Sequence, residues 1–152
     1  MRVETIRDIL HWTREFHQQL SICLQHSVDK NESERAQLLL KYLGEHEKKL
    51  VNTLEGFEKV ASESVLNTWS YEYFDQHPMK PAQQCEDSLS QLSSKDIIVE
   101  VTNLHQQVID LYNYLLSRAE QPSAKELLGQ LAELEQHEIM QIVQSTNRLE
   151  DL

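Results

Sequence analysis

The chain has 152 residues, a formal net charge of -11, three glycines and three prolines. A single domain of this length buries roughly two-thirds of the surface its unfolded form exposes, and so few turn-formers exclude a strand-rich fold, which uses such residues at every hairpin. The acidic field repels nucleic acid and anionic membranes, no basic stripe interrupts it, and no stretch reaches the ~18 apolar residues of a membrane span.

The first helix is predicted over about 3–27, where Ile6, Ile9, Leu10, Phe16, His17, Leu20, Cys23 and Leu24 recur at helical spacing. Its opening stretch, MRVETIRDILHW, is charged throughout and lacks the apolar run of a signal peptide. Cys23 and Cys85 have no metal-type spacing, so two free thiols in a cytoplasmic protein are expected. The DKNES segment breaks the stripe, and Asn31 with Glu34 has the form of a capping box opening a second helix over about 33–61. There Ala36, Leu39, Leu43, His46, Leu50 and Phe57 hold one stripe, with Leu40, Glu47 and Leu54 along its flank. A loop this short makes the two helices antiparallel neighbours.

Residues 62–94 form a connector whose Trp69, Tyr71, Tyr73 and Phe74 are expected to pack across a bundle face or against a second subunit. It is too long for a tight turn and too poor in aliphatic residues to hold a core of its own, so it is expected to run along the bundle. A third helix over about 95–119 carries Ile98, Val101, His105, Val108, Tyr112 and Leu115 on one stripe. After EQPS, Ser123 with Glu126 suggests a capping box for a fourth helix over about 124–149, with Leu127, Leu131, Glu135, Glu138 and Ile142 turned inward. The expected fold class is all-α: one domain, 1–152, built as a four-helix bundle of two antiparallel hairpins. The halves also resemble each other. Asp8-Ile-Leu and His17-Gln-Gln-Leu recur as Asp96-Ile-Ile and His105-Gln-Gln-Val, and Leu43-Gly-Glu-His46-Glu47 as Leu134-Glu-Gln-His137-Glu138, which suggests duplication of one hairpin.

Polar residues on core stripes are the informative ones, because a buried polar group costs free energy unless it is paired. His17, His46, His105 and Glu138 interrupt apolar stripes at similar depths from the hairpin turns and are expected to share one layer, with Glu47 and Glu135 at hand. Imidazoles and carboxylates converging from four helices suit iron, manganese or zinc. The alternative is a hydrogen-bonded layer without metal, in a bundle serving as an interaction or regulatory module. Trp12, Ile22, Val51, Val99, Met140 and Val143 lie off the stripes and would suit a homodimer interface.

With LGEHEKKL on the second helix, LEQHEIMQI on the fourth and a long crossover between hairpins, the chain resembles the ferritin-like superfamily, rubrerythrin-like bundles in particular. The resemblance implies a ferritin-like bundle whose inward carboxylates and histidines hold two irons. The family's Glu-x-x-His motifs are altered here, since Leu43 stands three residues before His46 and Leu134 three before His137. Histidines occupy the inward places of the first and third helices, where the family has Glu. The resemblance therefore implies a fold and a metal without a particular reaction.

Overall fold

The computed structural model describes residues 5–69 and 89–150. These residues are helical: α1 (Ile6–Val28), α2 (Glu34–Val60), α3 (Glu63–Leu66), α4 (Ser94–Arg118) and α5 (Pro122–Glu150). Local chemistry sets the helix starts. The Thr5 hydroxyl accepts from the Asp8 backbone N–H and the Asp8 carboxylate accepts from the Thr5 N–H, a reciprocal box that begins α1. Ser93 caps α4 by accepting from the Asp96 N–H.

The two capping boxes expected elsewhere do not form. Ser33 caps α2 by accepting from the Ala36 N–H, and Asn31 instead accepts from the Ser33 N–H and donates to the carbonyls of Leu89 and Leu92. The start of α5 falls at Pro122, ahead of Ser123; a proline's missing N–H is no loss in a first helical turn.

The ends of the helices define the topology. Past α3, the Thr68 carbonyl accepts from the Ile6 N–H, Thr5 pairs with Trp69 in an antiparallel bridge, and the Thr68 hydroxyl donates to Gln121. The foot of α1, the end of α2 and the α4–α5 turn therefore share one end of the bundle. Asn31, in the α1–α2 turn, bonds to residues 89 and 92 at the other end, next to the start of α4. Hence α2 and α4 run one way and α1 and α5 the other, and the described ends of the connector stand at opposite ends of the bundle. Tyr71, Tyr73 and Phe74 lie outside the described residues, while Trp69 is largely exposed.

The core is mainly aliphatic, with Ile9, Leu10, Leu20, Leu24, Leu39, Leu40, Leu43 and Leu50 buried from the first hairpin and Ile97, Val101, Val108, Leu111 and Leu131 from the second. Helices α1 and α2 approach closely at Gly44, where Ser21 donates to the Gly44 carbonyl and a Cβ on Gly44 would stand 2.9 Å from Gln25 Cγ. The buried positions of the two hairpins correspond at one register. Ile9, Leu10, Leu20 and Leu24 answer to Ile97, Ile98, Val108 and Tyr112, and Ala36, Leu39, Leu40 and Leu43 answer to Ala124, Leu127, Leu128 and Leu131, each 88 residues on, as 97 less 9 shows. The capping residues obey the same shift, Thr5 to Ser93 and Asp8 to Asp96.

Cys23 is disulfide-bonded, which overturns the expectation of a free thiol there; Cys85 lies outside the described residues. A disulfide is characteristic of oxidising surroundings, so the ground for expecting a reducing, cytoplasmic setting is removed. Among the described residues no helix is long and apolar enough to cross a membrane.

Candidate metal centre

At mid-height four charged side chains, one from each long helix, close into a ring. His17 and His105 are completely buried, as is Glu135, and Glu47 is 3% exposed. His17 Nδ1 donates to Glu47 Oε2 at 2.7 Å and its Nε2 to Glu135 Oε1 at 2.6 Å. His105 Nδ1 donates to Glu135 Oε2 at 2.8 Å, and its Nε2 to Glu47 Oε1. Both nitrogens of each imidazole and both oxygens of each carboxylate are thereby engaged. An ionised carboxylate only accepts, so all four ring nitrogens carry protons and both histidines are imidazolium.

The balance of forces supports that protonation. Burial is the largest single influence on His17 and favours the neutral ring. The charges of Glu135 and Glu47, with their hydrogen bonds, together outweigh it and lift the pKa to about 9. For His105 burial is likewise outweighed, chiefly by Glu47, and the pKa is held well above the usual value. Burial alone would raise Glu47, but His105 and His17 pull it down to about 2, and Glu135 is lowered in the same way by His17 and His105. The ring carries two positive and two negative charges and is neutral as a whole.

Aromatic side chains border the ring. Phe16 meets His17 edge-on, with centroids 5.5 Å apart, and the two imidazoles lie 5.0 Å apart between the bridging carboxylates. The Tyr112 hydroxyl is raised well above its usual pKa by burial and then by Glu135, with Thr13 opposing, so it stays a neutral phenol.

His46 and Glu138, expected in the same layer, form a separate pair. His46 Nδ1 lies 2.7 Å from Glu138 Oε2, and their side chains are 21% and 13% exposed. Successive residues on a helix point about 100° apart, so His46 and Glu47 cannot both face the centre, and Glu47 takes that place. His137 is exposed.

Glu47 and Glu135, read in the sequence as further ligands at hand, are thus integral to the ring. A usable signal for them was the spacing: His17 to Glu47 and His105 to Glu135 are both 30 residues. The expected match of Glu47 with Glu138 is three residues out of register, since the 88-residue shift pairs Glu47 with Glu135, 135 less 47, and His17 with His105.

The donor set fits a transition metal. Ligand atoms of His17, His105 and Glu135 all lie within 4.8 Å of one another, and imidazole with carboxylate is a chemistry that zinc, iron and manganese accept. Glu47 stands outside that group and bonds to both histidines. No protein-family model matches the chain, nor does any curated protein or solved structure.

Proposed function

We propose that the chain is a metal-binding bundle of ferritin-like wiring, in which His17, Glu47, His105 and Glu135 hold a divalent transition metal. The observation that carries this reading is the charge balance of the buried ring. Two imidazoliums and two carboxylates sum to zero, and so do a divalent cation, two neutral imidazoles and two carboxylates. The ion exchanges for two protons, and no net charge is left in a medium where an uncompensated one is costly. The ferritin-like part of the proposal draws on the two hairpins and on connector ends placed at opposite ends of the bundle. When bound, the metal supplies Lewis acidity or redox capacity, and the chain supplies a buried, pre-oriented ligand set.

The test is a titration of protein purified without an affinity tag with zinc or cobalt in weak buffer. About two protons are released per ion, following from the two imidazoliums, and the melting temperature rises with metal because the ion binds only the folded chain. A melting temperature that ignores metal sinks the reading. One observation favours a second reading, a metal-free interaction module: the ring satisfies all its own hydrogen bonds, as a polar layer that specifies a unique packing must.

A further inference from the structure

A completely buried ligand set needs a route by which an ion arrives. Near the ring the two hairpins differ in their side chains. Helix α2 descends from the α1–α2 turn and α5 rises towards it, so His46, one residue before Glu47, and Glu138, three after Glu135, both lie on the flank of the ring nearer that turn. The 88-residue shift gives their counterparts on the opposite flank: His46 answers to Leu134 (134 less 46) and Glu138 to Leu50 (138 less 50). Leu50 is buried and Leu134 packs against the core. One flank carries two leucines and the other an imidazole and a carboxylate that are 21% and 13% exposed.

The leucines show that packing at this layer does not require polar groups. A polar pair at a half-buried position contributes little by itself, and two leucines would bury more apolar surface. His46 and Glu138 engage each other through one nitrogen and one oxygen. Among the described residues their second nitrogen and second oxygen take no further hydrogen bond, so each keeps a donor atom for an arriving ion. They offer the same ligand chemistry as the ring, directly beside Glu47 along α2 and one helical turn from Glu135 on α5. The Tyr42 ring, 5.1 Å from the imidazole, stands beside the pair.

We propose that His46 and Glu138 form the port through which a divalent metal ion reaches the buried ring, passing by ligand exchange from the outer imidazole and carboxylate to Glu47 and Glu135. This rests on the metal-binding reading above. The chain's net charge of -11 attracts cations.

The experiment is stopped-flow uptake of Co(II), followed by its visible absorption band, in wild type, in the double variant His46→Leu/Glu138→Leu, which copies the leucine flank, and in Glu138→Gln. Circular dichroism melts confirm folding, and Glu138→Gln serves if the double variant fails to fold. Wild type loads, while the variants reach the same final absorbance and affinity at least tenfold more slowly in uptake and in release to a chelator. Variant uptake at the wild-type rate overturns the port. So does a loss of stoichiometry or affinity at unchanged rate, which makes the pair ligands of the bound ion. No Co(II) band in wild type overturns the metal reading itself, before any variant is compared.

Discussion

Replacing both ring glutamates by glutamine separates the ring's charge from its hydrogen bonding. In the wild type four N–H donors meet four carboxylate oxygens. Glutamine has one acceptor oxygen and one donor nitrogen, and neutral histidine has one donor and one acceptor nitrogen. In Glu47→Gln/Glu135→Gln with both histidines neutral, donors and acceptors can therefore follow one another around the ring. His17 Nε2 donates to Gln at 135, whose amide donates to His105 Nδ1, and His105 Nε2 donates to Gln at 47, whose amide donates to His17 Nδ1. No hydrogen bond is lost and the ring is again neutral.

The magnitudes point to a small net change. Charge-assisted hydrogen bonds contribute about 1.5–3 kcal/mol and neutral ones about 0.5–1.5, so four exchanges forfeit roughly 4–6 kcal/mol of attraction. Against this, four buried charges no longer need to be stripped of water, a cost of several kcal/mol per ion. The double variant should lie within about 2 kcal/mol of wild type in urea melts at pH 7. Glu135→Ala, by contrast, leaves two imidazole nitrogens without acceptors and an uncompensated positive charge, and should cost about 3–5 kcal/mol. The pH response should also invert. Without carboxylates the buried histidines resist protonation and their folded-state pKa values fall below the unfolded one. Their contribution is then present above that value and lost as pH falls, a loss on mild acidification that wild type does not show. A double variant as unstable as Glu135→Ala, or one with the wild-type acid response, would refute the account of the ring as a closed hydrogen-bonded circuit.

Stability of the metal-free wild type should be greatest between the two limbs set by the ring. The raised pKa of His17 contributes fully below pH 6.5 and is lost as pH rises towards about 9; the difference corresponds to about 3 kcal/mol, and urea midpoints flat from pH 7 to 10 would contradict it. The lowered pKa of Glu47 contributes fully above pH 4.5 and is lost as pH falls towards about 2, and the two limbs are not summed because they express one attraction. The proposed homodimer draws on exposed Ile22, Val99, Met140 and Val143; sedimentation should show a dimer at micromolar concentration, and monomer alone at high micromolar concentration removes the proposal. Trp12 is a weaker candidate for that surface, since it stacks on Phe16 at 5.4 Å and packs against the core.

The helices were legible because apolar residues at 3.6-residue spacing report burial directly, and the observed bounds differ from the expected ones by a few residues, at the ends where capping decides. Asn31 resembled a cap because its side chain has the right chemistry, but chemistry does not say which backbone group it meets; it bonds across the bundle end instead. The centre was half legible for a related reason. His17 and His105 sit in the middle of strongly apolar stripes, so their burial could be read from neighbours one turn away. Glu47 follows His46 directly, and on a helix only one of two adjacent residues can face the axis; periodicity alone left the choice open and favoured the imidazole. What decides it is the partner. A buried imidazolium with two N–H groups calls for carboxylates on both sides, and Glu47 and Glu135 are the pair that the 30-residue spacing within each hairpin brings level with His17 and His105. Matching the fourth helix to the second three residues out of register hid that equivalence, and it also hid the difference between the ring's two flanks: His46 and Glu138 on one, Leu134 and Leu50 on the other.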